Sequence, residues 1–283
     1  METIDIGNGL AFDAWVEGPV DGDLVVLLHG FPQSRHSWRN QLPALAAAGY
    51  RAVAPDQRGY SSGARPDPAD HTSYHLDLLV QDVLDIVSAL GAGDKAFHLV
   101  GHDWGAMVAW ATAFRHPARV ASLAVLSRPH PLAFAAALQD EDGEQRHRSR
   151  HHRSFLDPET ASLLLADGAA RLRRMLQNGR VPEATIDDYV SVLGTRDAMD
   201  AALAWYRALP ALAAPVGPVS VPTLYIWGTD DPSVGRRAAE GTAAHVTGPF
   251  RFVELPGVGH FASDEQPDQV ASLLLEHLSA PRR

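Results

Sequence analysis

The sequence predicts an α/β protein with a doubly wound, mostly parallel β-sheet and one inserted helical segment. Short apolar runs alternate with helical patterns over residues 24–126 and again over 222–278, as in successive strand–helix–strand units. The runs are continuous rather than alternating, which is typical of strands buried on both faces. From about residue 128 to residue 218 the periodicity is helical and no convincing strand is present.

These patterns divide the chain into two expected parts. Residues 1–127 and 219–283 are predicted to form the α/β core, and residues 128–218 are predicted to form an inserted helical cap, or lid. A chain of 283 residues is long enough to bury a large core in one catalytic-sized domain.

Composition excludes several classes of function. The net charge of −10 argues against nucleic-acid binding, which needs a basic face. No cysteine is present, so a thiolate nucleophile, a disulfide and a thiolate metal site are excluded. The acidic start, residues 1–5, lacks the features of a signal peptide, and no apolar run is long enough to cross a bilayer. We therefore expect a cytoplasmic monomer or homodimer that binds neither nucleic acid nor membrane.

The elements follow in order from the N-terminus. Loose alternation over residues 10–16, broken by Gly18-Pro19 and Asp21-Gly22, predicts edge strands joined by turns. Further strands are predicted at residues 24–28, 51–54, 97–100, 120–126, 222–227 and 251–255. Helices are predicted at residues 37–48, 74–90, 106–114 and 267–278, the first two ending at Gly49 and Gly91.

The segment Gly101-His102-Asp103-Trp104-Gly105 lies between a predicted strand and a predicted helix. A side chain at the tip of so tight a turn needs neighbours without a Cβ atom, which explains the two glycines. The residue at the tip is Asp103, so the attacking group would be a carboxylate, which attacks saturated carbon and leaves an ester. The alternative interpretation is an ordinary strand-to-helix turn in which Asp103 is only an N-cap.

A second segment, Gly59-Tyr60-Ser61-Ser62-Gly63, matches the Gly-x-Ser-x-Gly pattern of serine hydrolases. A turn that carries a nucleophile must lead directly into a helix. The residues that follow this segment include Pro66 and Pro68 and cannot begin one. We therefore expect no nucleophilic role for Ser61. Asp56 and Arg58, in the same loop, are expected to brace it by a charge-assisted hydrogen bond.

Two later loops carry the residues that a carboxylate nucleophile would need. Trp227-Gly228-Thr229-Asp230-Asp231 follows one predicted strand, and Gly259-His260-Phe261 follows the last one. Ligands bind beyond the carboxyl ends of the strands in open parallel sheets. The chain order is then nucleophile, acid and histidine, with Asp231 as the acid and Asp230 as the alternative. A buried structural role is the alternative for His260.

A fourth motif is His29-Gly30-Phe31-Pro32. Together the motifs resemble those of α/β-hydrolases of the epoxide hydrolase and haloalkane dehalogenase group, over essentially the full length of the chain. The resemblance implies that Asp103 forms an alkyl ester and that His260, oriented by Asp231, activates the water that hydrolyses it. It also implies an oxyanion hole made by the backbone amides of Phe31 and Trp104. No cofactor and no metal are implied.

The identity of the leaving group depends on the cap. Trp205-Tyr206-Arg207 resembles the epoxide hydrolase motif that carries a catalytic tyrosine, so Tyr206 is the expected acid, with simple cap packing as the alternative. The expected partners are a small apolar epoxide and water. Substrate contacts are expected from Phe31, Trp104, His152 and Tyr206.

One departure from the family pattern concerns a second tyrosine in the early cap. Residues 151–158 contain none: Ser154 is nearest to the expected place, His151 or His152 is a substitute donor, and Tyr189 comes later. Two other functions therefore stay open. One is a dehalogenase in which Trp104 and Trp205 bind halide, and the other is a non-hydrolytic member that binds or rearranges a small molecule.

Overall fold

The computed structural model describes residues 1–208 and 216–280. Within them an eight-stranded sheet has the order β1-β2-β4-β3-β5-β6-β7-β8. The strands are β1 (Glu2–Asp5), β2 (Ala11–Glu17), β3 (Leu24–Leu28), β4 (Arg51–Pro55), β5 (Phe97–His102), β6 (Val120–Leu126), β7 (Thr223–Gly228) and β8 (Phe250–Leu255). β2 is antiparallel to both β1 and β4, and every pair from β4 to β8 is parallel. The predicted mostly parallel sheet is confirmed.

Helices connect the strands and fill the insertion. They are α1 (Gln41–Ala47), α2 (Leu76–Ala89), α3 (Trp104–Arg115), α4 (Pro131–Gln139), α5 (Glu144–Arg148), α6 (His151–Phe155), α7 (Thr160–Asn178), α8 (Glu183–Leu193), α9 (Arg196–Arg207), α10 (Arg236–Gly241), α11 (Ala262–Glu265) and α12 (Pro267–Leu278). Non-helical backbone angles at residues 166–169 break α7 into two helical pieces. None of the helices in the described part of the chain is both long and apolar enough to span a membrane.

Both faces of the sheet are covered by helices. In β3, Val26 and Leu28 pack into the layer that contains α2 and α3, whereas Val25 and Leu27 pack into the layer that contains α1 and α12. Successive side chains of a strand point to opposite faces. Every residue of β3 is therefore buried, which explains why its sequence is a continuous apolar run.

The helix predicted at residues 37–48 is shorter in the structure. A 3₁₀ turn at Arg35–Trp38 comes first, and α1 begins at Gln41. This start places Pro43 in the first helical turn, where its missing N–H would have no intrahelical partner. A helix that began at Ser37 would place the same proline in the interior, where it removes a hydrogen bond.

The insertion between β6 and β7 contains helices α4 to α9. Among the described residues 128–208 and 216–218 it contains no strand. Residues 209–215 of the predicted cap lie outside the described residues. The exact division at residues 128 and 218 stays a prediction.

Candidate active site

Asp103 occupies the sharp turn between β5 and α3. Its backbone angles, φ 50° and ψ −113°, are rare for a residue with a side chain, and that side chain makes no capping hydrogen bond to α3. A Cβ atom at Gly101 would lie 2.5 Å from the Gly105 carbonyl oxygen, and one at Gly105 would collide with the Leu28 carbonyl. Only glycine therefore fits at positions 101 and 105. An N-cap role for Asp103 does not account for this turn.

The carboxylate of Asp103 faces a backbone donor and a histidine. The Phe31 amide donates to its Oδ1 atom at 3.0 Å, and the His260 Nε2 atom lies 3.8 Å from its Oδ2 atom. Burial would raise the pKa of this carboxyl, but the charges of His260, His102 and Arg128 outweigh burial and lower it. Asp103 is therefore ionised at neutral pH, as a carboxylate nucleophile must be.

His260 is held by Asp231 on its other side. The imidazole Nδ1 atom lies 3.0 Å and 3.1 Å from the two carboxylate oxygens of Asp231, which is fully buried. The Ser233 amide donates to Asp231 Oδ1 at 2.7 Å and fixes the carboxylate orientation. Asp230 points away and pairs with Arg180 at 3.1 Å. The structure brings Asp231, and not Asp230, to His260.

The charges around His260 change its protonation. Burial would lower its pKa, but Asp231 and then Asp103 outweigh burial and raise it to about 9. The resting site therefore holds an imidazolium between two carboxylates.

Ser127 is a member of this cluster that the sequence analysis missed. It follows β6 directly with a positive φ of 62°. Its hydroxyl donates to Asp231 Oδ2 at 2.7 Å and lies 2.9 Å from His260 Nδ1, and its carbonyl accepts from the Tyr225 hydroxyl at 2.7 Å. The available signal was its position, because a polar residue at the carboxyl end of a central parallel strand lies at the edge where sites form.

A cavity of about 1180 Å³ opens beside Asp103. Of the predicted site residues, the cavity wall includes Phe31, Asp103, Tyr206 and His260. The insertion between β6 and β7 contributes much of the remaining wall, through residues of α5, α6 and α7 and the turn before α5. Asp103, His260 and Tyr206 therefore face one space.

Two predicted substrate contacts are placed differently. Trp104 and His152 are not among the residues lining the cavity; their rings pack against the ring of Tyr206 with centroids 4.9 Å and 5.5 Å away. His151 lines the cavity instead of His152. Trp104 and His152 therefore support the position of Tyr206 from behind the wall.

Tyr206 is held by aromatic rings from the loop after β3 and from α6. Its ring centroid lies 4.8 Å from that of Phe155 and 5.6 Å from that of Phe31. Burial and the nearby carboxylate of Asp103 raise the pKa of the phenol well above its usual value. Tyr206 therefore keeps its proton at neutral pH and can act as a donor.

The missing early-cap tyrosine has no direct replacement. Tyr189 is buried elsewhere, where its hydroxyl donates to Asp264 at 2.7 Å. The Ser154 hydroxyl donates to the His151 carbonyl at 2.7 Å. His151 Nδ1 lies 2.9 Å from the Arg148 carbonyl, which only accepts, so Nδ1 carries the proton and Nε2 of the neutral ring is an acceptor. His151 can donate into the cavity only as an imidazolium.

The loop with the serine pattern has a structural role. The Ser61 hydroxyl is buried and donates to the Asp56 carbonyl at 2.7 Å. The predicted hydrogen bond between Asp56 and Arg58 is not formed. The Asp56 carboxylate binds Arg35, and Arg58 binds Asp82 at 2.6 Å and 2.7 Å. Each buried charge meets a partner from a distant part of the chain rather than its neighbour in the loop.

The comparisons with known proteins agree with this architecture. The model of the alpha/beta hydrolase fold family matches residues 23–267. Epoxide hydrolase A of Mycobacterium tuberculosis is 32% identical, and the match covers 96% of this chain and 95% of that protein. AB hydrolase superfamily protein YfhM of Bacillus subtilis is 34% identical, with 96% and 95% covered.

A solved structure extends the likeness to three dimensions. The crystal structure of epoxide hydrolase A from Mycobacterium thermoresistibile has a TM-score of 0.80 at 29% identity and covers 98% of this chain and 97% of its own. The predicted fold class and the resemblance stated from the motifs are both confirmed. This chain belongs to the α/β-hydrolase family, in the group that contains the epoxide hydrolases.

Proposed function

We propose that this protein hydrolyses epoxides to vicinal diols through a covalent ester on Asp103. The observation that carries the proposal is the ionised carboxylate of Asp103 on the cavity wall, with His260 Nε2 3.8 Å away. Relatives that align over almost the whole chain are named epoxide hydrolases. The experiment is to incubate the protein with aryl and alkyl epoxides and with haloalkanes. Diol formation without halide release supports the proposal, and halide release contradicts it.

In the first step an oxygen of Asp103 attacks a ring carbon, and the ring C–O bond breaks with its electron pair passing to oxygen. Tyr206, whose pKa is held high, donates the proton that this oxygen needs. The products of the step are a hydroxyalkyl ester and a tyrosinate, which recovers its proton from the imidazolium of His260.

The ester changes the charge around His260. Alkylation neutralises Asp103, one of the two carboxylates that raise the pKa of His260 to about 9. The imidazolium then releases its proton more readily, and the neutral ring becomes the base that the second step requires.

In the second step water attacks the ester carbonyl and His260 takes its proton. The Phe31 amide is already 3.0 Å from Asp103 Oδ1 and stabilises the resulting oxyanion. Trp104 begins α3, so its amide has no partner within the helix and is the second donor. When the tetrahedral intermediate collapses, the bond from the carbonyl carbon to the alkoxy oxygen breaks and that oxygen takes the proton of the added hydroxyl. The diol leaves, Asp103 is again a carboxylate, and His260 keeps the proton it took from water.

The other two functions fit the site less well. In a dehalogenase, the indole N–H of Trp205 would have to be free to donate a hydrogen bond to the halide. Here it donates to the Arg58 carbonyl at 2.9 Å inside the protein. A non-hydrolytic binder would not need an ionised carboxylate in a strained turn next to a charged histidine.

The two cap tyrosines form a matched pair for testing the acid. We expect Tyr206→Phe to lower kcat for epoxides by about a hundredfold, because the ring opens without a proton donor. Tyr189→Phe removes a buried hydrogen bond to Asp264, so it should cost about 1–3 kcal/mol of stability with little change in kcat. Steady-state kinetics and thermal denaturation measure both. Equal effects of the two variants on kcat would exclude Tyr206 as the acid.

The raised pKa of His260 also predicts a pH dependence of stability. The folded pKa of about 9 exceeds the usual 6.5, so the stabilisation is complete below pH 6.5 and is lost as the pH rises through 9. The difference in unfolding free energy between wild type and His260→Gln should therefore shrink over that range. Urea titrations at several pH values measure it, and a difference that grows with pH would contradict the assignment of charge.

We propose further that residues 128–218 act as the cap over this site. Helices α5, α6 and α7 supply wall of the same cavity that Asp103 lines. A cap in this position controls which substrates reach the nucleophile.

A further inference from the structure

Ser127 lies between Asp231 and His260 but transfers no proton in either step of the proposed reaction. Its hydroxyl oxygen is 2.7 Å from Asp231 Oδ2 and 2.9 Å from His260 Nδ1. The residue is buried and is not among those that line the cavity. Any effect of this hydroxyl on the reaction must therefore pass through the two side chains that it contacts.

The backbone of Ser127 is fixed to the neighbouring strand β7. Its amide donates to the Ile226 carbonyl at 2.9 Å, and its carbonyl accepts from the Tyr225 hydroxyl at 2.7 Å. These bonds hold the residue at a φ of 62°, a backbone angle that is uncommon for a residue with a side chain. The direction of the hydroxyl is therefore set by the sheet.

The charge of Asp231 determines which way the hydroxyl bonds. Burial would raise the pKa of this carboxyl, but the charge of His260 and the hydrogen bonds from His260, Ser127 and Ser233 lower it. An ionised carboxylate only accepts, so the Ser127 hydroxyl donates its one proton to Asp231. Its oxygen then presents a lone pair to His260 Nδ1.

The two oxygens of Asp231 are held by different donors. Oδ1 accepts from the backbone amides of Ser233 and Val234 at 2.7 Å and 3.2 Å. In the described part of the chain, the donor to Oδ2 besides His260 is Ser127. Ser127 therefore fixes the rotation of the carboxylate against the imidazole.

His260 Nδ1 faces acceptor atoms only. They are the two carboxylate oxygens of Asp231, at 3.0 Å and 3.1 Å, and the Ser127 hydroxyl oxygen, at 2.9 Å. The neutral ring therefore keeps its proton on Nδ1, and the lone pair is on Nε2, which lies 3.8 Å from Asp103 Oδ2. This is the tautomer that can take a proton from water at the ester.

We propose that Ser127 is a positioning residue that holds the neutral imidazole of His260 in the tautomer and orientation required for ester hydrolysis. The proposal rests on the epoxide hydrolase function above and adds a residue to its second step. Ester formation takes place between Asp103, Tyr206 and the epoxide, so it does not depend on this orientation.

The test compares Ser127→Ala and Ser127→Gly with wild type, using an aryl epoxide. We expect ester hydrolysis to be about tenfold slower in both variants, the effect of losing one hydrogen bond to a charged group, with ester formation changed by less than about twofold. In the steady state kcat and KM then fall together, and kcat/KM, which reports the steps up to the ester, is preserved. Rapid quenching with mass detection of the ester measures both rates.

The glycine variant keeps the test independent of stability. Glycine adopts a φ of 62° without strain, so Ser127→Gly should fold even where Ser127→Ala is destabilised. Ser122→Ala is the matched control. It removes a buried hydroxyl from β6 that lies 2.7 Å from the Nδ1 atom of His98, and it should keep both rates of the wild type.

A double variant shows whether Ser127 acts through Asp231. In the Asp231→Asn background, removal of the Ser127 hydroxyl should slow ester hydrolysis by only about twofold, because residues of one hydrogen-bond network are not additive. Unchanged ester hydrolysis in both Ser127 variants, or equal slowing of ester formation and hydrolysis, would overturn the proposal. Failure of wild type to form a diol from any epoxide would instead contradict the proposed function.

Discussion

Asp103→Asn is expected to reduce epoxide turnover by about four orders of magnitude or more. The variant keeps the shape of the side chain and an oxygen that can accept the Phe31 amide, so the fold should survive. It replaces an ionised carboxylate by a neutral amide that cannot form the alkyl ester, so the first step is lost. Steady-state diol formation measures the effect.

Asp230→Asn is the control for this variant. Asp230 is a surface aspartate that pairs with Arg180, so its loss should change neither turnover nor stability by much. Substantial turnover by Asp103→Asn would mean that the carboxylate is not the nucleophile and that water adds to the epoxide directly.

His260→Gln is expected to separate the two halves of the reaction. Ester formation needs Asp103 and a proton donor, whereas ester hydrolysis needs the base that His260 provides. The variant should therefore consume about one equivalent of epoxide per active site and then stop, with steady-state turnover reduced by about a thousandfold. Rapid-mixing kinetics with product analysis measures the burst.

Asp231→Asn should slow ester hydrolysis, the half-reaction that needs His260. It replaces the carboxylate that holds His260 Nδ1 at 3.0 Å and raises its pKa. A variant of His260 that slowed ester formation and ester hydrolysis equally would contradict the division of roles.

The local pattern of the chain was sufficient to predict the sheet and the turn. Strands β3 and β6 and helix α12 have the predicted bounds because continuous apolar runs and helical periodicity are properties of the local sequence. Gly101 and Gly105 could be interpreted because the steric demand of the turn involves only nearby backbone.

Contacts between distant segments could not be predicted in the same way. His151 and His152 are adjacent in sequence, and which of them faces the cavity depends on how α6 is rotated against the core. Ser127 meets Asp231 and His260 only because β6 and β7 are neighbours in the folded sheet. Such choices are made by tertiary packing, for which a single sequence carries little signal.

Intact mass measurement of His260→Gln after incubation with an aryl epoxide detects the ester on Asp103 directly. We expect a mass increase equal to that of the whole epoxide, mapped by peptide analysis to Asp103 and absent from Asp103→Asn/His260→Gln. Formation of one equivalent of diol without any adduct, or an adduct on another residue, would contradict it.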